Sequence, residues 1–394
     1  MKQMQKILFM LTALFLGMLW MLPVNAVPSF ATQTEKKCSY CHNAWPQLNK
    51  KGRDFKLLGY RLPDSETVQL GDYLQDLESF PISAIVVSRP YDKKEHGDTN
   101  NRAFHEAEIM LAGAFNKFSA FFELESEDEA TNDFGLDVGI PLAQVTYHHS
   151  PALNLTAHWG EQFYVDPYGG LLSHRTRLTR DAVGVIDTKF DGADNGGKLR
   201  SRRQNLGLWG RVMDKLFYSV AWQGEADDGT TKSSEGKSAS NYQGRLAYEI
   251  TDDIMIGGFY VTGKMNGIAA ADRDFDRWGI DSQIDYNNLR VQAAFVSATD
   301  DTVAATTDTS NDAFSVQAYY TFKKKSGRPT FVPLVRYDWS EKTDGTLEDE
   351  HLTMNMGYYV TQNVKVYAEY FHEIDDFGTT VEEDRFTLQA FIAF

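Results

Sequence analysis

A 394-residue chain with only two cysteines cannot rest on a disulfide framework, and a formal net charge of −16 excludes the broad cationic surface that nucleic-acid phosphates require. Beyond the first two dozen residues, no run is long and apolar enough for a membrane-spanning helix. Composition leaves a soluble acidic protein or one whose surface meets cations.

The chain opens MKQMQKILFMLTALFLGMLWMLPVNA. Lys2 and Lys6 provide a positive start, Ile7 to Leu22 an apolar run, and Val24-Asn25-Ala26 a small-x-small cleavage site. The pattern predicts a secretory signal peptide over residues 1–26. The competing reading, a retained anchor, needs about 20 apolar residues, and Pro23 ends this run earlier. Removal of the leader takes away two positive charges and leaves −18.

Residues 27–80 form a distinct segment, in which seven basic residues (Lys36, Lys37, Lys50, Lys51, Arg53, Lys56 and Arg61) balance seven acidic ones. Over 27–61 the only acids are Glu35 and Asp54, so that part is +5, and the whole −18 lies beyond residue 80. Both cysteines fall here, in CSYCH: Cys38, Cys41 and then His42. Cys-x-x-Cys-His is the attachment sequence for c-type haem, with two thioethers to the vinyl groups and the histidine as proximal iron ligand. A redox disulfide has no need of His42, and a zinc site needs four ligands that the segment lacks. Export to the periplasm agrees with haem attachment. The segment contains no methionine and no second histidine, so it cannot complete a His/Met or His/His haem by itself. The sixth ligand comes from elsewhere in the chain, or the site is open or uses a weaker donor.

From about Pro81 to the end the pattern has period two. NLTAHWGEQF places Leu153, Leu155, Ala157 and Trp159 on one face and Asn154, Thr156 and His158 on the other. NVKVYAEYF opposes Val364, Val366, Ala368 and Tyr370 to Lys365 and Glu369, and the chain ends with Phe386, Leu388, Ala390, Ile392 and Phe394 in alternation. About sixteen such segments, each on the order of ten residues, start near Ile82, Ala103, Lys117, Val138, Ala152, Arg202, Lys215, Asn241, Ile254, Phe275, Asn288, Asp312, Arg328, His351, Asn363 and Asp384. Short turns follow the even segments (Asn116, Ser150-Pro151, Asp214, Thr251 to Asp253, Asn287, Lys323 to Gly327, Thr361-Gln362), and long polar loops follow most odd ones. A soluble sandwich also alternates but gives no reason for this asymmetry. The expected fold is therefore all-β: an outer-membrane barrel of about sixteen antiparallel strands over residues 81–394, with both termini on the periplasmic side.

About fifty residues bury a haem poorly without a partner surface, and a sixteen-stranded barrel leaves room for a small plug. Residues 27–80 are thus expected as a haem-bearing plug in, or at the periplasmic mouth of, an acidic barrel. Alternation places three candidate sixth ligands on the lumen face: His158, His148 and Met110. For each one, an ordinary polar or packing role is the competing reading.

The stretch VPSFATQTEKKCSYCHNAWPQLNKKGRDFKLLGY resembles the fused cytochrome–porins of iron-oxidising bacteria. Their pattern, Pro-x-Phe-Ala-Arg-Gln-Thr, the haem motif, Pro-x-Leu and Gly-Arg-x-Phe-Lys, falls on Pro28, Phe30, Ala31, Gln33, Thr34, Cys38, Cys41, His42, Pro46, Leu48, Gly52, Arg53, Phe55 and Lys56. Thr32 departs from it, standing where the family usually has arginine; Lys36 or Lys37 could take over a propionate contact. The resemblance covers about thirty residues. It implies an outer-membrane monohaem iron oxidase that takes electrons from extracellular Fe(II) and passes them to a periplasmic c-type cytochrome. Two acidic runs suit cation attraction: Glu125, Glu127, Asp128, Glu129, Asp133 and Asp137, and Glu373, Asp375, Asp376, Glu382, Glu383 and Asp384. Solvation of the rim, or divalent ions bridging lipopolysaccharide, would explain them equally. Two other functions stay open: a conduit of other donor or direction, and a solute porin with a structural haem.

Overall fold

The structure is a computed structural model that describes residues 29–63, 81–128, 138–169, 182–183, 199, 202–224, 241–266, 272–301, 308–342, 347–376 and 383–393. The expected leader, the side chain of Thr32, and Glu129, Asp133, Asp137 and Glu382 of the acidic runs lie outside these residues.

The N-terminal segment folds as α1 (Ser29–Thr34), α2 (Cys38–Cys41), a small hairpin of β1 (His42–Ala44) and β2 (Gln47–Leu48), and α3 (Lys50–Leu57). The rest is one sheet of strands β3 (Ile82–Lys94), β4 (Thr99–Phe115), β5 (Phe118–Glu127), β6 (Val138–Ser150), β7 (Leu153–Gly160), β8 (Arg203–Val212), β9 (Leu216–Gln223) and β10 (Asn241–Thr251). It continues through β11 (Ile254–Asn266), β12 (Asp272–Tyr286), β13 (Leu289–Asp301), β14 (Asp308–Tyr320), β15 (Phe322–Lys323), β16 (Pro329–Lys342), β17 (Leu347–Tyr359), β18 (Val364–Asp376) and β19 (Asp384–Ala393). Each strand pairs antiparallel with its chain neighbour, and β19 closes the ring on β3, with Ile392 opposite Val86. The two-residue β15 prolongs β14 along β16, so the barrel has sixteen strands. An even count lets an all-antiparallel ring close.

The expected starts hold along the barrel. Four strands begin three or four residues earlier, at Thr99, Asp272, Asp308 and Leu347, all at the long-loop end. Ladder hydrogen bonds need no apolar side chains, so pairing continues where the alternation fades. At the other end the turns are tight: Asn116 (φ 47), Asp214 (φ 56) and Asn287 (φ 56) take the left-handed backbone that Asn and Asp tolerate best.

The barrel is inside out relative to a soluble core. In β7, Leu153 and Leu155 are exposed, whereas Asn154, Thr156 and His158 are buried. Val145, Leu206, Leu208, Val220, Trp222, Leu246, Ile280 and Met356 extend the outward apolar belt, the surface of a barrel that faces lipid. No helix among the described residues could cross a membrane; the strands supply the crossing. Inside, five arginines are fully buried (Arg203, Arg245, Arg277, Arg290 and Arg336). Carboxylates face Arg245, Arg277, Arg290 and Arg336: Asp281 lies 2.6 Å from Arg245, Asp300 2.8 Å from Arg277 and Asp285 2.5 Å from Arg290, with Asp338 on Arg336. Buried charges persist only when paired in this way.

The connection after β7 turns inward, and its Phe163 joins Ala182, Val183 and Leu199 against lumen residues Phe259, Val261, Phe275 and Val296.

Candidate functional site

One helical turn, α2, places Cys38 and Cys41 three residues apart and therefore on one side. Both are free thiols. Burial raises their pKa values; Cys41 reaches about 11, pushed by burial first and then by Cys38, with Lys51 opposing. The β1–β2 hairpin turns the chain back so that His42 Nδ1 lies 3.0 Å from the Pro46 carbonyl oxygen. A carbonyl only accepts, so Nδ1 carries the proton and Nε2 keeps its lone pair. Burial lowers the His42 pKa to about 4, which leaves the ring neutral at pH 7.

Helix α3 braces this turn. The Asn49 side chain accepts from Gly52 N–H (3.0 Å) as N-cap and donates to the Tyr40 carbonyl (3.0 Å), tying α3 to α2. A Cβ on Gly52 would fall 2.2 Å from the Cys41 carbonyl oxygen, so glycine is what allows the two helices to touch. Phe55 meets Phe30 edge-on at 5.3 Å, and Phe30 stacks on Tyr60 at 4.8 Å.

The segment sits in the lumen at the short-turn end. Arg53, almost fully buried, donates to Glu249 (3.3 Å) and to the Asp252 carbonyl (2.9 Å). Lys56 donates to the carbonyls of Tyr164 (2.5 Å) and Asp166 (3.0 Å) in the inward loop. Burial lowers the Lys56 pKa to about 8 against the opposing pull of Asp166. The barrel also grips with its own cations: Arg211 meets Asp54 at 2.6 Å, Arg290 donates to the Leu48 carbonyl at 2.9 Å, and Lys365 donates to the Trp45 carbonyl at 3.0 Å. The expected pairing of a positive plug with an acidic wall is thus one part of a two-way clamp. Trp45 packs on Phe391 (4.5 Å), and Ala44 on Tyr319, Val332, Leu334 and Tyr359.

Between plug and wall lies a cavity of about 380 Å³. Cys38, Cys41, His42, Phe30, Trp45, Pro46, Leu48, Phe55 and Tyr60 line it from the plug, Ser83, Ile85, Met110, Ala112, Phe121 and Ala393 from the barrel, and Tyr164 from the inward loop. Lys36, Lys37 and Lys56 add cationic groups to an otherwise mostly apolar wall. Such a wall can hold a planar prosthetic group through two sulfurs and one imidazole, with the lysines toward an anionic edge.

Of the three candidate barrel ligands, the fold brings only Met110 to this cavity. His158 is buried behind Tyr164, with ring centroids 6.3 Å apart. His148 has both ring nitrogens engaged, by Ser119 Oγ and Asn154 Oδ1 at 2.7 Å each. It lines a separate cavity of about 250 Å³ with Leu57 and Arg61, and its ring fills the space beside Gly59, where a Cβ would come within 2.3 Å. Sequence reasoning missed Phe121 and Tyr164. For Tyr164 a signal existed: the connection between Gly160 and Arg203 is long and carries Phe163, Tyr164, Val165 and Tyr168, a composition unlike a solvated loop.

No family model matches the chain, and no curated protein matches it. Solved structures do. OmpF of Salmonella typhi, in complex with daunomycin, superposes with a TM-score of 0.60 at 16% identity, covering 79% of this chain and 97% of that one. The anion-selective porin of Comamonas acidovorans gives 0.57 at 10% identity over 79% and 98%. A loop-deletion mutant of OmpT from Vibrio cholerae gives 0.57 at 10% over the same shares. At these identities the likeness is one of fold: this chain has the architecture of a sixteen-stranded porin, with its own N-terminal segment seated in one end of the lumen.

Proposed function

We propose that the protein is an outer-membrane electron-uptake protein, a ferrous iron oxidase in which one covalent haem c sits between plug and barrel. The observation that carries this reading is a single cavity walled by both cysteines, His42 and the barrel's Met110. Bound there, haem c would supply reversible one-electron chemistry. In this reading the Cys38 and Cys41 sulfurs would hold the group covalently, and His42, oriented by the Pro46 carbonyl, would bind its iron through Nε2. Met110 would offer its thioether to the iron from the wall, and Lys36 and Lys37 would face the propionates. Phe30, Phe55, Trp45 and Phe121 exclude water. Extracellular Fe(II) is the electron donor and leaves as Fe(III); a periplasmic c-type cytochrome takes the electron at the short-turn end. A group held in that cavity would leave less than the full hydrocarbon thickness of about 30 Å to the outer transfer. The apolar belt supports residence in the outer membrane, with the short turns in the periplasm.

The porin fold favours a second reading, a solute channel with a structural haem. The two separate cleanly. Holoprotein mixed anaerobically with Fe(II) near neutral pH should develop reduced haem bands. Bands that respond to dithionite but not to Fe(II), together with large open conductance in a planar bilayer, would select the solute channel.

A further inference from the structure

Among the described residues, one group of side chains outside the plug cavity has the makings of a metal site: Asp349, His351 and Glu373, whose ligand atoms all lie within 4.8 Å of one another. Asp349 and His351 are two apart on β17 and share its lumen face, and Glu373 stands opposite His351 on β18. The pairing of His351 with Glu373 belongs to the regular register that runs down to Tyr359 and Lys365, and Glu373 faces inward by the same alternation as Lys365, Tyr367 and Glu369; just beyond it the register slips by one, leaving Ile374 as an extra, outward residue of β18.

The donor atoms converge. His351 Nε2 is 2.7 Å from Asp349 Oδ1 and 3.6 Å from Glu373 Oε1. Yet this buried nitrogen makes no hydrogen bond; the approach to Asp349 lacks the required geometry. Each carboxylate is oriented through its other oxygen, Asp349 Oδ2 by Ser340 Oγ (3.4 Å) and Glu373 Oε2 by Glu383 N–H (3.1 Å). Outer partners of this type fix metal ligands in place. Donors at about 2.1 Å from one ion are at most about 4.2 Å apart, so small side-chain rotations complete the set. One imidazole and two carboxylates suit a first-row divalent cation, and the missing positions would be water. The site lies toward the long-loop end of β17 and β18, where the backbone register sets Asp376 and Asp375 opposite Asp349 and Glu350.

We infer that Asp349, His351 and Glu373 bind a first-row divalent cation at the long-loop mouth of the lumen. If the electron-uptake reading above holds, on which only this last step rests, that cation is the ferrous substrate. The test uses holoprotein in detergent and Mn(II), which does not reduce haem, titrated by electron paramagnetic resonance. Wild type should bind one equivalent that Asp349→Asn, Glu373→Gln and His351→Ala each weaken at least tenfold. Asp349→Asn and Glu373→Gln preserve shape, so folding is retained and reported by the haem spectrum. Unchanged Mn(II) binding in all three overturns the site. Fe(II) then separates the two claims: site variants should slow haem reduction at least tenfold, and equal rates would remove the site from the iron's route. Wild type that binds Mn(II) but is never reduced by Fe(II) would overturn the oxidase reading and leave the metal site standing.

Discussion

The lumen changes character along its own strands. On β16 the inward residues run Val332 and Leu334 at the short-turn end, then Arg336, Asp338 and Ser340; on β3 they run Ile85 and Val87, then Asp92. On β19 the order is reversed with the strand: Thr387 and Gln389 lead to Phe391 and Ala393. On these strands the inward apolar residues lie where the plug docks and the charged ones lie beyond it, while elsewhere in the lumen Phe259, Val261, Phe275 and Val296 meet the inward loop instead. A barrel that only conducts solutes has no use for an inward apolar collar at one end. The collar is there because Ala44 and Trp45 of the same chain cover it, burying apolar area that water would otherwise meet. The midsection, by contrast, is satisfied by its own Arg–Asp pairs.

That contrast can be tested first at the proposed haem site. Cys38→Ser with Cys41→Ser should abolish covalent haem on a denaturing gel while the barrel still folds and shows its heat-modifiable migration. Next, Met110→Ala should convert a low-spin haem spectrum to high spin, whereas His148→Ala and His158→Ala should leave it low spin; the opposite pattern would return the ligand to a histidine.

The ionic networks give a matched pair of tests. Arg53→Ala removes the 3.3 Å partner of Glu249 in the dock and leaves Arg211 at 4.0 Å, whereas Arg277→Ala strands Asp300 in the midsection, the latter at a cost of about 3–5 kcal/mol. Arg53→Ala should free the plug, raising bilayer conductance and protease cleavage near α3. Arg277→Ala should lower barrel melting and leave the haem spectrum alone. A smaller effect, about 1–3 kcal/mol of overpacking, is expected from Gly52→Ala, since its Cβ meets the Cys41 carbonyl; the readout is reduced haem incorporation. Smallest is a pH effect at Lys56. Its pKa falls from 10.5 to about 8 in the fold, so between those values the undocked chain holds more protons and docking strengthens as pH rises. Below about pH 8 both states are protonated and the dependence stops. Denaturation followed through Trp45 fluorescence should show this slope, and Lys56→Met should remove it.

The period-two alternation, the short and long connections and the Cys38-Cys41-His42 motif are local or periodic features. Each is set by neighbours within a few residues, so strand count, strand limits and the haem-type motif could be read directly from the chain. The absence of a second ligand between residues 27 and 80 was equally plain, and it pointed to the barrel. Alternation alone places Met110, His148 and His158 on the same inward face and cannot rank them. Their heights and angles around the ring depend on strand stagger, which no local pattern encodes. Only the closed barrel, with its plug seated and the loop after Gly160 folded in, turns Met110 to the cavity. It also engages His148 with Ser119 and Asn154, and sets Tyr164 in front of His158. The same holds for Asp349, His351 and Glu373, which the register of β17 on β18 brings to one point.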